Sequence, residues 1–304
     1  MSGLLANHEE RMYRAKLSLA GLSVGDAFGE MFFSMPDKVD WVIRSRSVPS
    51  PTWHYTDDTE MAISVVRVLE EHGTIQQDEL AKRFVDRYWQ NPGRGYGGTA
   101  HGILQAIGKR TPWQIAASSA FGGMGSMGNG GAMRVAPLGA YFADDVSRAI
   151  DEARKSAEVT HAHPEGQAGA IAVAVAAAFA WNEREKVSDQ SGTRLIECVL
   201  DHTPVGETRQ GIEKAYGLAR DLSVETAIGH LGNGSRVISQ DTVPFCLWCA
   251  ARHLNDYVGA MWTTVSGLGD RDTNCAIVGG IVVLAAGERS IPSEWLCARE
   301  RLVF

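Results

Sequence analysis

Apolar residues recur at helical spacing along most of the chain. Within residues 9–27, Met12, Leu17, Leu19, Leu22 and Val24 fall near one face of a helix. Similar spacing predicts helices over residues 60–71, 76–89, 144–159, 165–181 and 207–222. Alternating polar and apolar patterns, which are typical of strands, are scarce. The most apolar run, residues 275–287, has many small residues, which favour a tightly packed central helix over a buried strand. We therefore expect an all-α fold with a single compact domain over residues 1–304.

Two stretches interrupt this pattern. Residues 34–53 contain Pro36, Pro49 and Pro51, which predict an irregular excursion. Residues 183–192 are polar and predict a surface loop. No low-complexity linker or fixed-period repeat divides the chain.

The composition is that of an ordinary globular protein, with 44% hydrophobic and 21% charged residues among 304. Acidic residues outnumber basic ones by 36 to 29, which argues against nucleic acid or an anionic membrane as a partner. The apolar runs 168–181 and 275–287 are shorter than the roughly 20 residues that span a bilayer. Residues 1–10 lack the features of a secretory signal. We expect a cytoplasmic monomer without a membrane partner.

The five cysteines indicate reduced thiols rather than a disulfide framework, because their number is odd and their spacing irregular. Cys246 and Cys249 form one CxxC pair, but no second pair of ligands follows, as a structural zinc site would need. The surrounding residues are apolar, so we expect buried structural thiols in a helix.

Two acidic segments stand at predicted helix starts: residues 55–60 (YTDDTE) and 267–274 (GLGDRDTN). One interpretation is helix capping, with Asp57 as N-cap, Glu60 three residues later, and Asp270 capping the second helix. The other is a metal site, since carboxylate and hydroxyl oxygens suit Mg²⁺, Mn²⁺ or Ca²⁺. One carboxylate suffices for a cap, and a second beside it adds like-charge repulsion. If the two starts meet in space, they form a two-metal acidic site.

Glycine clusters at residues 94–98 (RGYGG) and 122–131 (GGMGSMGNGG) are the other unusual feature. Glycine lets backbone N–H groups point together at phosphate oxygens, although a flexible loop or a helix junction is the favoured explanation of each cluster taken alone. Neither cluster fits a Walker A loop or a dinucleotide fingerprint. His161 and His163 lack a nearby third ligand, so a histidine that hydrogen-bonds to a ligand is favoured over zinc.

Taken together, these motifs resemble those of the ADP-ribosylglycohydrolase family, in order and along nearly the whole chain. The matching segments are residues 25–29 (GDAFG), 55–59 (YTDDT), 128–134 (GNGGAMR), 160–161 (TH), 269–273 (GDRDT) and 291–295 (IPSEW).

The resemblance implies an all-α fold with two divalent cations, Mg²⁺ or Mn²⁺, in a central cleft. The implied metal ligands are Thr56, Asp57 and Asp58 on one side and Asp270, Asp272 and Thr273 on the other, with Asp272 bridging. The implied catalytic residues are Asp57, Asp58, Asp272 and Glu30. The implied ligand-binding residues are Gly95, Tyr96, Gly97, Gly98, Gly125, Ser126, Met127, Gly128, Asn129, Gly130 and His161.

The implied reaction is metal-dependent hydrolysis of the N- or O-glycosidic bond between ADP-ribose and a modified target, which releases ADP-ribose. Our first expectation for the substrate is ADP-ribosyl-arginine on protein. The alternatives are ADP-ribosyl-serine, O-acetyl-ADP-ribose and ADP-ribosylated nucleic acid. Two other classes remain open, a non-catalytic ADP-ribose-binding or structural protein on the same fold and a metal-dependent phosphoester hydrolase.

Three positions depart from the family pattern. The family commonly places an acid where this chain has Phe33, whereas here Glu30 directly follows the first-helix motif. Met127 stands where one branch carries an aromatic residue, and Arg271 where a small neutral residue is usual. These differences bear on substrate choice.

Overall fold

The centre of the structure, a computed structural model that describes residues 7–304, is a pair of long helices, α1 (His8–Met31) and α16 (Arg271–Ala286). Three glycines spaced by four along α1 bring the two backbones together. A Cβ atom on Gly21, Gly25 or Gly29 would lie within 2.4 Å of a carbonyl oxygen of α16. Real Cβ atoms do not approach so closely, so only glycine permits this packing.

The remaining helices surround this pair. They are α2 (Val39–Ser45), α3 (Asp57–His72), α4 (Gln77–Gln90), α5 (Gly98–Gly108), α6 (Trp113–Ser118), α7 (Ala120–Gly123), α8 (Ala136–Tyr141), α9 (Val146–Glu158), α10 (Pro164–Glu183), α11 (Ser191–His202), α12 (Glu207–Gly217), α13 (Val224–Leu231), α14 (Ser239–Arg252), α15 (Tyr257–Ser266) and α17 (Ser293–Ala298). Short 3-10 helices lie at Phe32–Ser34, Asn129–Gly131 and Glu288–Ser290.

The all-α prediction is confirmed. Over residues 7–304 the only β-type pairings are isolated bridges, which join Trp53 to Arg299 and Gly128 to Ile238. In the same part of the chain, no helix has both the length and the apolar character needed to cross a bilayer. The most apolar run of the sequence is the buried helix α16, as its small residues indicate.

Two predicted boundaries differ from the structure. The irregular stretch 34–53 contains the short helix α2, which lies between Pro36 and Pro49 and ends where Arg46 adopts a left-handed conformation. The helix predicted over residues 207–222 ends at Gly217, because Leu218 adopts an extended conformation. Cys246 and Cys249 lie buried in α14 as free thiols, as predicted.

Candidate active site

The starts of α3 and α16 meet beside the buried face of α1. Carboxylate oxygens of Asp26 on α1, Asp58 on α3 and Asp272 on α16 all lie within 4.8 Å of one another. Asp26 and Asp58 are buried and Asp272 is half-buried. The sequence left open whether the two acidic segments meet, and the structure brings them together.

Asp26 anchors the start of α3. Its carboxylate accepts hydrogen bonds from the backbone N–H and the hydroxyl of both Thr56 and Thr59. Burial raises the pKa of Asp26 to about 6, and these hydrogen bonds oppose the rise. Asp26 lies in the motif of residues 25–29 but is not among the site residues predicted from the sequence. The available signal was a lone carboxylate between two glycines of an apolar helix.

The first acidic segment is capped differently from the prediction. Asp57 as N-cap is wrong, because Thr56 is the N-cap and its hydroxyl oxygen accepts from the Asp58 N–H. The proposed capping partner, Glu60, instead forms an ion pair with Arg87. The side chains of Asp57 and Asp58 therefore do not cap α3. The Asp57 backbone N–H donates to the Arg94 carbonyl at 2.7 Å, which places the first glycine cluster beside this segment.

The second acidic segment is tied to both neighbouring motifs. Asp270 stands at the N-cap position of α16, but its side chain makes no capping bond and instead accepts from Asn129 Nδ2 at 2.7 Å. The Thr273 hydroxyl lies 3.4 Å from Asp58 Oδ2. The capping interpretation therefore fails for Asp270 as well.

The ionised form of the carboxylates in this cluster is unfavourable when no cation is present. Burial first, and then the neighbouring carboxylates, raise the pKa of Asp57 to about 8 and raise the pKa values of Asp58 and Asp272 well above their usual range. The pKa of Asp270 is also raised, mainly by burial. Asp58 Oδ1 and Asp272 Oδ1 are buried without a hydrogen-bond partner anywhere in residues 7–304. Unpartnered buried carboxylate oxygens and nearby hydroxyls fit hard divalent cations.

The first glycine cluster borders the acidic cluster. Gly95 adopts a positive φ of 87°, and a Cβ there would lie 3.6 Å from Asp57 Oδ1. Gly97 and Gly98 are exposed at the start of α5, with open space around the positions a Cβ would take. Tyr96 differs from its neighbours, because its ring is buried against Tyr88 and His101. The structure thus places Tyr96 in the core beneath the loop.

The second glycine cluster wraps around His161. A Cβ on Gly128 would lie 3.2 Å from His161 Nε2, and one on Gly130 would lie 3.0 Å from Cε1. Burial, reinforced by the nearby Arg134 guanidinium, lowers the pKa of His161 to about 3, so its imidazole is neutral. Nδ1 pairs with the Thr160 hydroxyl at 2.7 Å, which leaves Nε2 facing the loop.

The remaining predicted residues of this loop lie beside it. Gly125 has a positive φ of 78° and lies against the backbone of residues 162–163. The Ser126 hydroxyl accepts from the Gly128 N–H at 3.1 Å. The Met127 sulfur accepts from Gln240 Nε2 at 3.4 Å. The loop joins the acidic cluster through Asn129 and Asp270.

A cleft of about 480 Å³ opens beside the first acidic segment. Its lining includes Glu30, Tyr55, Thr56, Arg94, Gly95 and Glu300. Burial raises the pKa of Glu30, the Asp26 carboxylate adds to the rise, and Arg271 opposes it.

Arg271 is bound to the turn that follows α1. Its guanidinium donates to the Phe32 carbonyl at 2.7 Å and lies 4.3 Å from the centre of the Phe33 ring. Two of the departures from the family pattern, Phe33 and Arg271, therefore contact each other.

Comparison with known proteins identifies the family of this chain. The family model described as ADP-ribosylglycohydrolase matches residues 7–303. The chain is 29% identical over 318 residues to human "ADP-ribosylhydrolase ARH3", covering 91% of this chain and 86% of the relative. It is 27% identical over 327 residues to the protein of that name from Xenopus tropicalis, covering 94% of this chain and 91% of the relative.

A solved structure shows the same fold at lower identity. The "ADP-ribosylglycohydrolase-related protein complex" superimposes with a TM-score of 0.64 at 22% identity, covering 96% of this chain and 94% of the other. Because the family model spans almost the whole chain, this protein belongs to the ADP-ribosylglycohydrolase family and is a glycosyl hydrolase.

Proposed function

We propose that this chain, acting as one domain, hydrolyses the N-glycosidic bond between ADP-ribose and an arginine side chain of a modified protein. The observation that carries this proposal is the meeting of the two acidic helix starts beside Asp26. The products are free ADP-ribose and the restored arginine.

The proposed ligands of two divalent cations, Mg²⁺ or Mn²⁺, are Thr56, Asp57 and Asp58 with Asp270, Asp272 and Thr273. To this set we add Asp26, whose carboxylate belongs to the same cluster. When bound, the cations supply positive charge that orients the ribose hydroxyls beside the reacting carbon. The raised pKa values and the unpartnered oxygens of Asp58 and Asp272 support this assignment.

The two glycine clusters are the proposed cradle for the diphosphate and the distal ribose. Gly95, Gly97 and Gly98 expose backbone at the start of α5, and residues 125–130 surround the neutral imidazole of His161. Backbone N–H groups in such loops suit phosphate oxygens. Tyr96 supports the first cluster from below.

Positive charge develops at the anomeric carbon as the carbon–nitrogen bond breaks. The carboxylates of Asp57, Asp58 and Asp272 surround the proposed position of that carbon, where they stabilise this charge and take a proton from the attacking water. The water oxygen joins the carbon, the bonding electrons leave with the guanidine nitrogen, and that nitrogen takes up the proton from the carboxyl group.

The cleft beside Thr56 is the proposed site of the acceptor side chain. Two of its charged residues, Arg94 and Glu300, pair with each other, whereas Glu30 forms no ion pair within the described chain. An arginine acceptor offers N–H donors and positive charge to the Glu30 carboxylate, and a serine acceptor offers neither. This contrast favours the arginine linkage.

The test is a side-by-side assay of arginine-linked and serine-linked ADP-ribosyl peptides with Mg²⁺ or Mn²⁺, with products identified by mass spectrometry. We expect free ADP-ribose from the arginine peptide at the higher rate. Release from the serine peptide alone, from O-acetyl-ADP-ribose alone or from ADP-ribosylated DNA alone would contradict the arginine assignment. Tight ADP-ribose binding without release would indicate a binding protein, and AMP as product would indicate a phosphoester hydrolase.

The cytoplasmic location and monomeric state stay predictions.

A further inference from the structure

Glu300 lies in an extended segment that follows α17 and runs beside residues 53–55. The Glu300 N–H donates to the Trp53 carbonyl at 2.9 Å, and the Trp53 N–H donates to the Ala298 carbonyl at 2.7 Å. The residue that shortly precedes the first acidic segment is therefore held by a part of the chain more than 200 residues away in sequence.

The Glu300 carboxylate joins three groups of the site. It accepts from the Tyr55 N–H at 2.9 Å, from the Arg94 guanidinium, and pairs with His54 Nδ1 at 3.2 Å. These partners hold the ionised form, and they lower the pKa of Glu300 although burial opposes them. Three protein groups therefore hold the Glu300 carboxylate in place.

Arg94 extends this network to the glycine cluster. Its guanidinium donates to the Tyr55 carbonyl at 2.8 Å and lies 4.3 Å from the centre of the Tyr55 ring. Its own carbonyl accepts from the Asp57 N–H at 2.7 Å. Arg94 thus holds the peptide before Gly95 against the residue that begins α3.

We infer that Glu300 is a positioning residue that, through Arg94, fixes the first acidic segment at a set distance from the glycine loop 94–98. The inference rests on the proposed function for the identity of the ligand, ADP-ribose. The pair touches no reacting atom. Its loss loosens the cradle for the diphosphate more than it alters the carboxylates, since Asp26 still anchors Thr56 and Thr59.

The experiment compares the wild type with Glu300→Gln, Arg94→Gln, the double variant and the control Glu294→Gln, an exposed change on neighbouring α17. ADP-ribose affinity is measured by calorimetry with Mn²⁺, and KM and kcat with the arginine peptide. We expect Glu300→Gln to raise Kd and KM about tenfold and to change kcat by less than about threefold. The double variant loses less affinity than the sum of the two single losses, because each single variant already removes the Arg94–Glu300 ion pair. Glu300→Asp recovers part of the affinity.

Hydrogen exchange separates this inference from the proposed function. In Glu300→Gln, amides in residues 54–58 and 93–98 exchange faster, and amides in α10 do not change. Unchanged exchange in both segments, additive single effects, or a fall in kcat at constant KM would overturn the positioning role. A wild type that neither binds nor releases ADP-ribose would overturn the proposed function. The exchange data would still test the positioning role of Glu300.

Discussion

The Thr273 hydroxyl lies 3.4 Å from Asp58 Oδ2, although 215 residues separate the two in sequence. This contact joins the starts of α3 and α16, each of which carries two aspartates. The carboxylates at these two helix starts repel one another, and burial raises their pKa values. Their ionised forms are therefore unfavourable, and a bound divalent cation would relieve the repulsion.

Removing one of these carboxylates should abolish most of the activity. We expect Asp58→Asn and Asp272→Asn each to lower the rate of ADP-ribose release about 100-fold or more, while the helical content stays unchanged. The measurement is kcat/KM with circular dichroism on the same samples. Asp151→Asn, a change at an exposed acid on α9, serves as control. Near-normal rates in both variants would remove these residues from the mechanism.

Asp26 should matter for metal affinity, although sequence analysis did not select it. Asp26→Asn removes a carboxylate from the cluster and places amide hydrogens against the Thr56 and Thr59 N–H groups. We expect Mn²⁺ affinity to fall more than about tenfold by calorimetry. Thr59→Val, which removes only one of the four hydrogen bonds, should cost less. Equal Mn²⁺ affinity in Asp26→Asn and wild type would contradict this.

Glu30 should discriminate between acceptors. Glu30→Gln keeps the shape of the side chain and removes the charge offered to a guanidinium. We expect about a tenfold loss in kcat/KM for the arginine-linked peptide. ADP-ribose affinity should stay constant, since the product lacks the acceptor. An equal loss of ADP-ribose affinity would place Glu30 in the ADP-ribose site instead.

The metal-free protein should lose stability as pH rises. The pKa values of Asp26 and Asp57, about 6 and about 8, lie above the value of about 3.9 expected in an unfolded chain. Between these limits the folded state binds more protons than the unfolded state, so the free energy of unfolding falls with increasing pH. Urea unfolding in EDTA at pH 5 and pH 8 measures this difference. Asp57→Asn should flatten the slope, and an unchanged slope would refute the assignment.

His161 should make the free energy of unfolding depend on pH in the direction opposite to that of Asp26 and Asp57. Its pKa of about 3 lies below the value of about 6.5 expected in an unfolded chain, so the folded state resists protonation. The free energy of unfolding therefore falls as pH falls from about 6.5, the pKa in the unfolded chain, toward about 3, the pKa in the folded chain. We expect the ring nitrogen signals in NMR spectra to show one neutral tautomer from pH 8 to pH 5. Titration near pH 6.5 would mean that the ring is open to solvent.

The regular pattern of the sequence predicted the all-α class and several of the long helices, but not helices such as α5, α11 and α15. Helical spacing located α1, α3, α4 and α10 within a few residues, and small residues marked α16 as a packed central helix. The acidic segments were visible because two carboxylates at one helix start exceed what a cap needs.

What the sequence could not provide depends on long-range contacts. Asp26 joins the site because Gly25 and Gly29 let α1 press against α16, and helical periodicity alone does not reveal that approach. Tyr96 lies in a glycine-rich segment that suggests ligand contact, yet its ring packs into the core. The role of Glu300 depends on a segment that reaches the site only through folding.

The meeting point of α3 and α16 is the proposed site of a metal-dependent glycosidic hydrolysis. The most direct test measures free ADP-ribose released from the arginine-linked peptide, first with EDTA, then after Mg²⁺ or Mn²⁺ is restored, for the wild type and Asp272→Asn. We expect release by the wild type only with metal and almost none by the variant under any condition. Undiminished release in EDTA, or equal release by the variant, would contradict it.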